Sequence, residues 1–110
     1  MTQHKEPLCH LDHIPDGGSK SLQYGEYSLF AIRKGQTAYV YYNRCPHLGL
    51  PLEWQADQFL TADKSLIQCA THGALFEVNS GACISGPCQG QALRSADTYI
   101  ENNYLYLCTN

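Results

Sequence analysis

Two short segments of the chain each offer one thiol and one imidazole that could bind a metal. Cys45 and His47 form the first pair, and Cys69 and His72 form the second. Thiolates are soft ligands for iron, zinc and copper, and neutral imidazoles bind the same metals. The four side chains therefore form a complete ligand set for one metal centre, provided that the fold brings the two segments together.

Two kinds of centre use two cysteines and two histidines. A structural zinc site is tetrahedral, but a zinc finger presents a cysteine pair followed by a histidine pair on a helix. Here each segment carries one ligand of each type, and Gly73 directly follows His72. This arrangement is typical of a 2Fe-2S cluster in which two cysteines bind one iron and two histidines bind the other. We favour the iron-sulfur centre and keep a structural zinc module as the alternative.

Such a ligand set determines which iron accepts an electron. Thiolates donate strongly and stabilise the ferric state of the iron that they hold, whereas neutral imidazoles donate less. The iron on the histidine side is therefore the easier one to reduce. Replacing two thiolates by neutral rings raises the reduction potential to about −150 to +300 mV, compared with about −400 mV for all-cysteine plant-type clusters.

The remaining pattern predicts an all-β fold built from hairpins. Runs of β-branched and aromatic residues alternate with turn residues, and no segment favours a long helix, although a helical turn is possible between Asp57 and Leu60. One hairpin, with Gly35 in its turn, leads into Cys45, and a short strand ends at Cys69. Both candidate segments are therefore expected at the tips of strand pairs. The predicted strands are 27–33, 37–42, 66–68, 75–78, 98–100 and 104–107.

Size and composition limit the possible functions. The chain has 110 residues and a net charge of −3, with seven basic residues scattered along it. We expect one domain spanning residues 1–110, with no basic patch for nucleic acid. The polar N-terminus is followed by no apolar run of signal-peptide or membrane-anchor length, which favours a soluble cytoplasmic protein without membrane contact.

The four cysteines outside the ligand set divide into two pairs. Cys9 and Cys108 lie in apolar, alternating segments and are predicted to be buried thiols. Cys83 and Cys88 flank a short loop that could approach the metal centre. Simple packing is the favoured interpretation for this second pair, and a disulfide or redox switch is the alternative.

From about Leu8 to Leu107 the chain resembles the Rieske ferredoxins that serve ring-hydroxylating oxygenases. The resemblance rests on residues 45–49, residues 69–73 and the pair Gly86-Pro87. It implies a Rieske-like antiparallel β-sandwich or barrel base. A small cluster-binding subdomain would contain ligand loops at about 44–53 and 68–76, with a proline loop at about 84–89 covering the cluster.

The same resemblance implies the cofactor, the ligands and the role. Cys45 and Cys69 would bind one iron of a single 2Fe-2S cluster, and His47 and His72 the other. The chain would carry one electron at a time from a flavin-dependent reductase to a terminal oxygenase, with no catalysis of its own. An alternative within the same resemblance is a small Rieske-like subunit bound to the large subunit of a reductase, such as an assimilatory nitrite reductase.

Departures from the cytochrome bc type of Rieske protein bear on the potential. That type carries an additional disulfide between the loops and two hydroxyl donors to the cluster. Here Leu50 and Thr71 stand in place of the two cysteines, and Ala74 and Phe76 in place of the donors. Because the reduced cluster loses these stabilising contacts, we expect a potential in the lower part of the Rieske range.

Overall fold

The computed structural model describes residues 6–44, 59–69, 73–86 and 89–108. These residues form three antiparallel sheets of three strands each, together with one 3-10 turn at Leu11–His13, and they contain no α-helix. The all-β prediction is therefore confirmed. The strands in chain order are β1 (Cys9–His10), β2 (Ser19–Tyr24), β3 (Tyr27–Lys34), β4 (Thr37–Tyr42), β5 (Leu66–Gln68), β6 (Leu75–Glu77), β7 (Cys83–Ser85), β8 (Thr98–Glu101) and β9 (Tyr104–Leu107).

The central strand β3 contributes to two hydrophobic cores. It pairs with β2 on one side and β4 on the other, and consecutive residues point to opposite faces of the sheet. Phe30 and Ile32 pack into a core shared with β5, β6 and β7, whereas Leu29 and Ala31 pack into a core that includes Leu105 of β9. All four β3 side chains are fully buried. The middle of β3 therefore lies between the two other sheets.

Two of the predicted hairpin turns have the backbone that such turns require. Lys34 pairs with Thr37 across a two-residue turn in which Gly35 has φ +64°. In the β8–β9 hairpin, Asn102 and Asn103 have φ of +53° and +66°. Asparagine tolerates this left-handed region better than most residues, and tight hairpins favour it there.

Several sequence expectations differ from the structure or extend beyond it. The strands β1, β2 and β7 were not among the six predicted ranges. Leu60 pairs with Ile67 in an antiparallel bridge, whereas Asp57 and Gln58 of the possible helical turn lie outside the described residues. The strands β3 and β8 extend one residue further than predicted, and β6 ends one residue earlier.

The prediction that Cys108 is buried was wrong. Its side chain is exposed, whereas Cys9 is half-buried and packs against the second core. The reason is strand alternation: Leu105 and Leu107 face that core, so the next residue faces the opposite side.

None of the described segments forms a helix with the length and hydrophobicity needed to span a membrane.

Candidate metal centre

Of the four predicted ligands, only Cys69 lies among the described residues. It follows β5 directly, and its side chain is fully buried. Cys45, His47 and His72 lie outside the described residues, so their prediction as ligands remains a prediction. Within the described ranges no group of three or more potential metal ligands occurs. What the structure does show is how the ends of both ligand segments are held.

The ends of the second ligand segment are closed on each other by two backbone hydrogen bonds. The amide of Cys69 donates to the carbonyl of Ala74 at 2.8 Å, and the amide of Gly73 donates to the carbonyl of Cys69, also at 2.8 Å. Gly73 has φ +69°, which a glycine adopts without steric cost. The residue that follows His72 is therefore bonded directly to Cys69.

The first ligand segment is anchored where it begins. The amide of Asn43 donates to the carbonyl of Ser28 at 2.9 Å, and the Asn43 side chain is buried. A hydrogen-bonded polar group in a buried position fixes the local chain direction, because moving it would leave polar atoms without partners. This anchor lies two residues before Cys45.

The chain that follows the first ligand segment is held at Phe59 from three directions. The Phe59 ring stacks on Phe30 with a centroid separation of 4.3 Å, and its amide donates to the hydroxyl of Ser19 at 3.3 Å. Its carbonyl accepts a 2.9 Å hydrogen bond from the amide of Gln68. Gln68 directly precedes Cys69, so the chain after the first ligand segment is hydrogen-bonded next to the start of the second.

The chain that enters the predicted proline loop also reaches this region. Leu75 pairs with Ser85 and Phe76 with Cys83, so Ile84 is the extra residue of a β-bulge. Beyond the bulge, Gly86 has φ +102° and lies in close contact with Ala74. Pro87 and Cys88 lie outside the described residues.

The chain stretches that carry these segments share one hydrophobic core. This core contains Phe59, which follows the first ligand segment, Cys69 and Ala74 from the second, and Cys83, which precedes the predicted proline loop. Phe76 lies in the same core and is fully buried. The described surroundings of Cys69 are therefore dry and apolar, which suits a 2Fe-2S cluster whose potential depends on burial and on nearby donors.

Burial raises the pKa of two groups outside the proposed ligand set, Cys9 and Tyr41. Burial raises the pKa of the Cys9 thiol, although nearby Lys20 acts in the opposite direction. Cys9 is thus kept in the protonated, poorly ligating form. Burial, with a smaller contribution from Tyr39, raises the pKa of Tyr41 to about 12. The Tyr41 hydroxyl donates to the carbonyl of Val78 at 2.5 Å and ties β4 to the chain just after β6.

The question of Cys83 and Cys88 stays open. The Cys83 thiol is buried and donates to the carbonyl of Ser85 at 3.3 Å. This contact is compatible with the packing interpretation. The alternative, a disulfide or redox switch, remains a prediction because Cys88 is not among the described residues.

Sequence reasoning did not single out the residues that anchor the ligand segments. Phe59 carries no motif, and its importance depends on stacking with Phe30 from a distant strand. Asn43 resembles an ordinary turn residue before Cys45. Gly86 was noted only as one half of a Gly-Pro pair. Nothing local in the sequence indicates its contact with Ala74.

Residues 4–101 match the family model of the Rieske [2Fe-2S] domain. Because the match covers most of the chain, the protein belongs to this family. The cofactor that defines the family is a 2Fe-2S cluster, one for each domain. No curated protein matches the chain in sequence.

Solved structures with the same fold include ferredoxins. The ferredoxin of carbazole 1,9a-dioxygenase from Nocardioides aromaticivorans IC177 superimposes with a TM-score of 0.78 at 20% identity, covering 98% of this chain and 100% of that one. A ferredoxin from Sphingomonas yanoikuyae B1 gives 0.76 at 21% identity, covering 97% and 100%. A complex of reduced oxygenase and oxidized ferredoxin in carbazole 1,9a-dioxygenase gives 0.73 at 21% identity, covering 96% and 94%.

Proposed function

We propose that the protein is a one-electron carrier that transfers electrons from a flavin-dependent reductase to a terminal oxygenase. The observation that supports this most directly is the convergence around buried Cys69. The chain that follows the first ligand segment is hydrogen-bonded beside it through Phe59 and Gln68, and the second segment is closed on it through Gly73 and Ala74. When bound, the 2Fe-2S cluster would store the electron at the iron on the histidine side.

The proposal assigns four ligands to that cluster. Cys45 and Cys69 would hold one iron, and His47 and His72 the other, with both cysteines as thiolates and both imidazoles neutral. The closed ends of the second segment keep Cys69 and Gly73 in a fixed relation. Asn43 and Phe59 anchor the described chain before and after the first segment. A rigid support of this kind keeps reorganisation small when the charge of the site changes.

The partners are inferred from relatives. A structure with this fold contains a ferredoxin in complex with its oxygenase, which supports an oxygenase as the electron acceptor here. The reductase partner rests on the family resemblance alone. The proposed location is the cytoplasm, and the exposed Cys108, which forms no disulfide with any other described cysteine, suits a reducing compartment.

The cofactor assignment is tested by anaerobic reconstitution with iron and sulfide. The expected product is a red-brown protein with one 2Fe-2S cluster per chain, measured by iron and sulfide analysis, visible absorption and EPR after reduction. Cys69→Ser should abolish the cluster. Cys9→Ser is a matched control, because Cys9 lies outside the ligand set and should leave the cluster content unchanged.

Three results would count against the proposal. A colourless protein with stoichiometric zinc would support the structural zinc module. A cluster that survives the loss of Cys69 would refute the ligand assignment. Co-purification with a large sirohaem-containing subunit would replace the oxygenase with a reductase as the partner. The oxygenase role is supported if a purified flavin-dependent reductase reduces the protein and a terminal oxygenase then reoxidises it.

A further inference from the structure

Gly86 lies closer to Ala74 than any residue with a side chain could. A Cβ atom built on Gly86 would stand 2.8 Å from the Cα of Ala74, 3.2 Å from its Cβ and 3.3 Å from its amide nitrogen. Two of these three atoms belong to the backbone of Ala74, so no change of side-chain rotamer could move them away. The φ of +102° at Gly86 also disfavours any L residue with a side chain.

This contact results from the irregular pairing of β6 with β7. Leu75 lies opposite Ser85, so Ala74, which precedes β6, faces Gly86, which follows β7. Ile84 is bulged out of the pairing, and its side chain is 44% exposed. The bulge allows Gly86 to approach the backbone of Ala74 directly.

Ala74 is bonded to the one predicted ligand that the structure describes. Its carbonyl accepts the hydrogen bond from the amide of Cys69 at 2.8 Å. Both residues are fully buried, so neither can move without disturbing the core around them. A displacement of Ala74 is therefore transmitted to the backbone of Cys69.

We propose that Gly86 is a positioning residue that fixes Cys69 through Ala74. The inference rests on the proposed function, because it takes Cys69 to be a ligand of the cluster. The atoms nearest to a Cβ built on Gly86 all belong to Ala74. Gly86 acts by limiting where the backbone of Ala74 can lie, and so where the chain presents the Cys69 sulfur.

Gly90 provides a matched control in the same stretch of chain. It is exposed like Gly86 and has a similar φ of +94°, but a Cβ placed on it would meet nothing within 4 Å. Gly86→Ala and Gly90→Ala therefore carry a comparable backbone strain. Only Gly86→Ala adds a clash with Ala74.

The experiment compares the reconstituted wild type with the two variants. Gly86→Ala should shift the EPR g-values of the reduced protein and accelerate the loss of visible absorption in the presence of an iron chelator. It should also speed backbone hydrogen exchange in the peptide that contains Cys69. Gly90→Ala should match the wild type in all three measurements. Equal behaviour of the two variants would overturn the inference.

A second variant covers the case in which Gly86→Ala does not fold. Ala74→Gly leaves Gly86 unchanged and removes the Ala74 Cβ, which is one of the three Ala74 atoms closest to a Cβ built on Gly86. It therefore loosens part of the same contact. It should shift the EPR g-values in a measurable way and speed hydrogen exchange at Cys69. If neither changes, the positioning role is refuted.

Failure of the proposed function would look different. In that case the wild type itself would bind no cluster. The hydrogen-exchange comparison would still report on the contact, because it needs no cofactor. Faster exchange in Gly86→Ala than in Gly90→Ala would then support the effect of Gly86 on Cys69, and equal exchange would refute it.

Discussion

The ring of Phe59 stacks on the ring of Phe30, with their planes inclined by only 6°. Phe30 belongs to β3, and Phe59 follows the segment that contains Cys45 and His47. This stack therefore joins the chain after the first ligand segment to the centre of the fold. Both rings are fully buried, and their stacked geometry adds to the hydrophobic gain of burying them.

Phe59→Ala should destabilise the protein strongly. Removing a buried phenylalanine typically costs about 3–5 kcal/mol, because the transfer energy is lost and a cavity remains. The free energy of unfolding, measured by denaturant titration, should fall by about that amount. Tyr27→Ala is the control: Tyr27 is 57% exposed, so its loss should have a much smaller effect. A change at Phe59 no larger than that at Tyr27 would contradict the anchoring role of the stack.

Adding hydroxyl groups near Cys69 should raise the reduction potential. Ala74 and Phe76 are fully buried in the core that contains Cys69, and neither can donate a side-chain hydrogen bond. If Ala74→Ser or Phe76→Tyr donates to the reduced cluster with a net gain of about 1 kcal/mol, the one-electron potential rises by roughly 40 mV. Redox titration followed by visible absorption measures the shift.

The potential of the wild type should lie in the lower part of the range of about −150 to +300 mV. Ala62→Ser adds a hydroxyl in an exposed turn and should leave that value unchanged. A wild-type potential near the upper limit would show that the missing hydroxyl donors do not control it.

Tyr41→Phe should weaken the fold and change its response to alkali. The Tyr41 hydroxyl donates to the carbonyl of Val78, and both residues are buried. Leaving that carbonyl without its partner should cost about 1–3 kcal/mol in the free energy of unfolding near neutral pH. Denaturant titration at neutral pH measures this loss.

The pH dependence of the same variant follows from the raised pKa of Tyr41. The pKa is about 12 in the folded protein, against an ordinary value of 10.0. Above about pH 10 the unfolded chain loses this proton more readily than the folded one. The contribution of Tyr41 is therefore complete below pH 10 and is lost as the pH rises towards 12. The stability difference between wild type and Tyr41→Phe should shrink over that interval, and a constant difference would contradict the assignment.

Asp63 should make a stabilising contribution that acid removes. Its carboxylate accepts hydrogen bonds from the hydroxyls of Thr61 and Ser65, each at 2.7 Å, and from the amide of Ser65 at 3.1 Å. These bonds lower the pKa of Asp63 to about 2 from 3.8. The contribution is therefore present above about pH 4 and is lost as the pH falls towards 2.

Thermal unfolding of the wild type and Asp63→Asn checks the contribution of Asp63. The wild type should be the more stable protein at about pH 5, and the difference should narrow towards about pH 3. Thr61→Val should move the pKa of Asp63 back towards its ordinary value. A stability difference that is independent of pH would refute the assignment.

The sequence predicted the strands whose side chains carry a clear signal. The Tyr27–Arg33 and Thr37–Tyr42 hairpin was confirmed because it is rich in β-branched and aromatic residues around a glycine turn. The strand β2 has the sequence Ser-Lys-Ser-Leu-Gln-Tyr, and only Leu22 is buried in it. Pairing with β3, rather than its own composition, makes it a strand. Local pattern cannot reveal such tertiary pairing.

The sequence proposed a ligand set for the metal centre but could not give its geometry. Cys69 was proposed as a ligand from its spacing to His72, and its position directly after β5 agrees with the predicted strand. The supports at Asn43, Phe59 and Gly86 depend on partners that are distant in the chain or on a β-bulge. The predicted burial of Cys108 failed because periodicity alone did not settle which face of the final strand it occupies.

Because β3 contributes side chains to both cores, the protein should melt cooperatively. A substitution that loosens Phe30 on one face also disturbs the backbone that presents Leu29 and Ala31 on the other. The core that contains Cys69 and the second core, against which Cys9 packs, should therefore unfold in a single transition rather than one after the other. The cluster and the tertiary circular dichroism of the β-scaffold would then disappear at the same temperature.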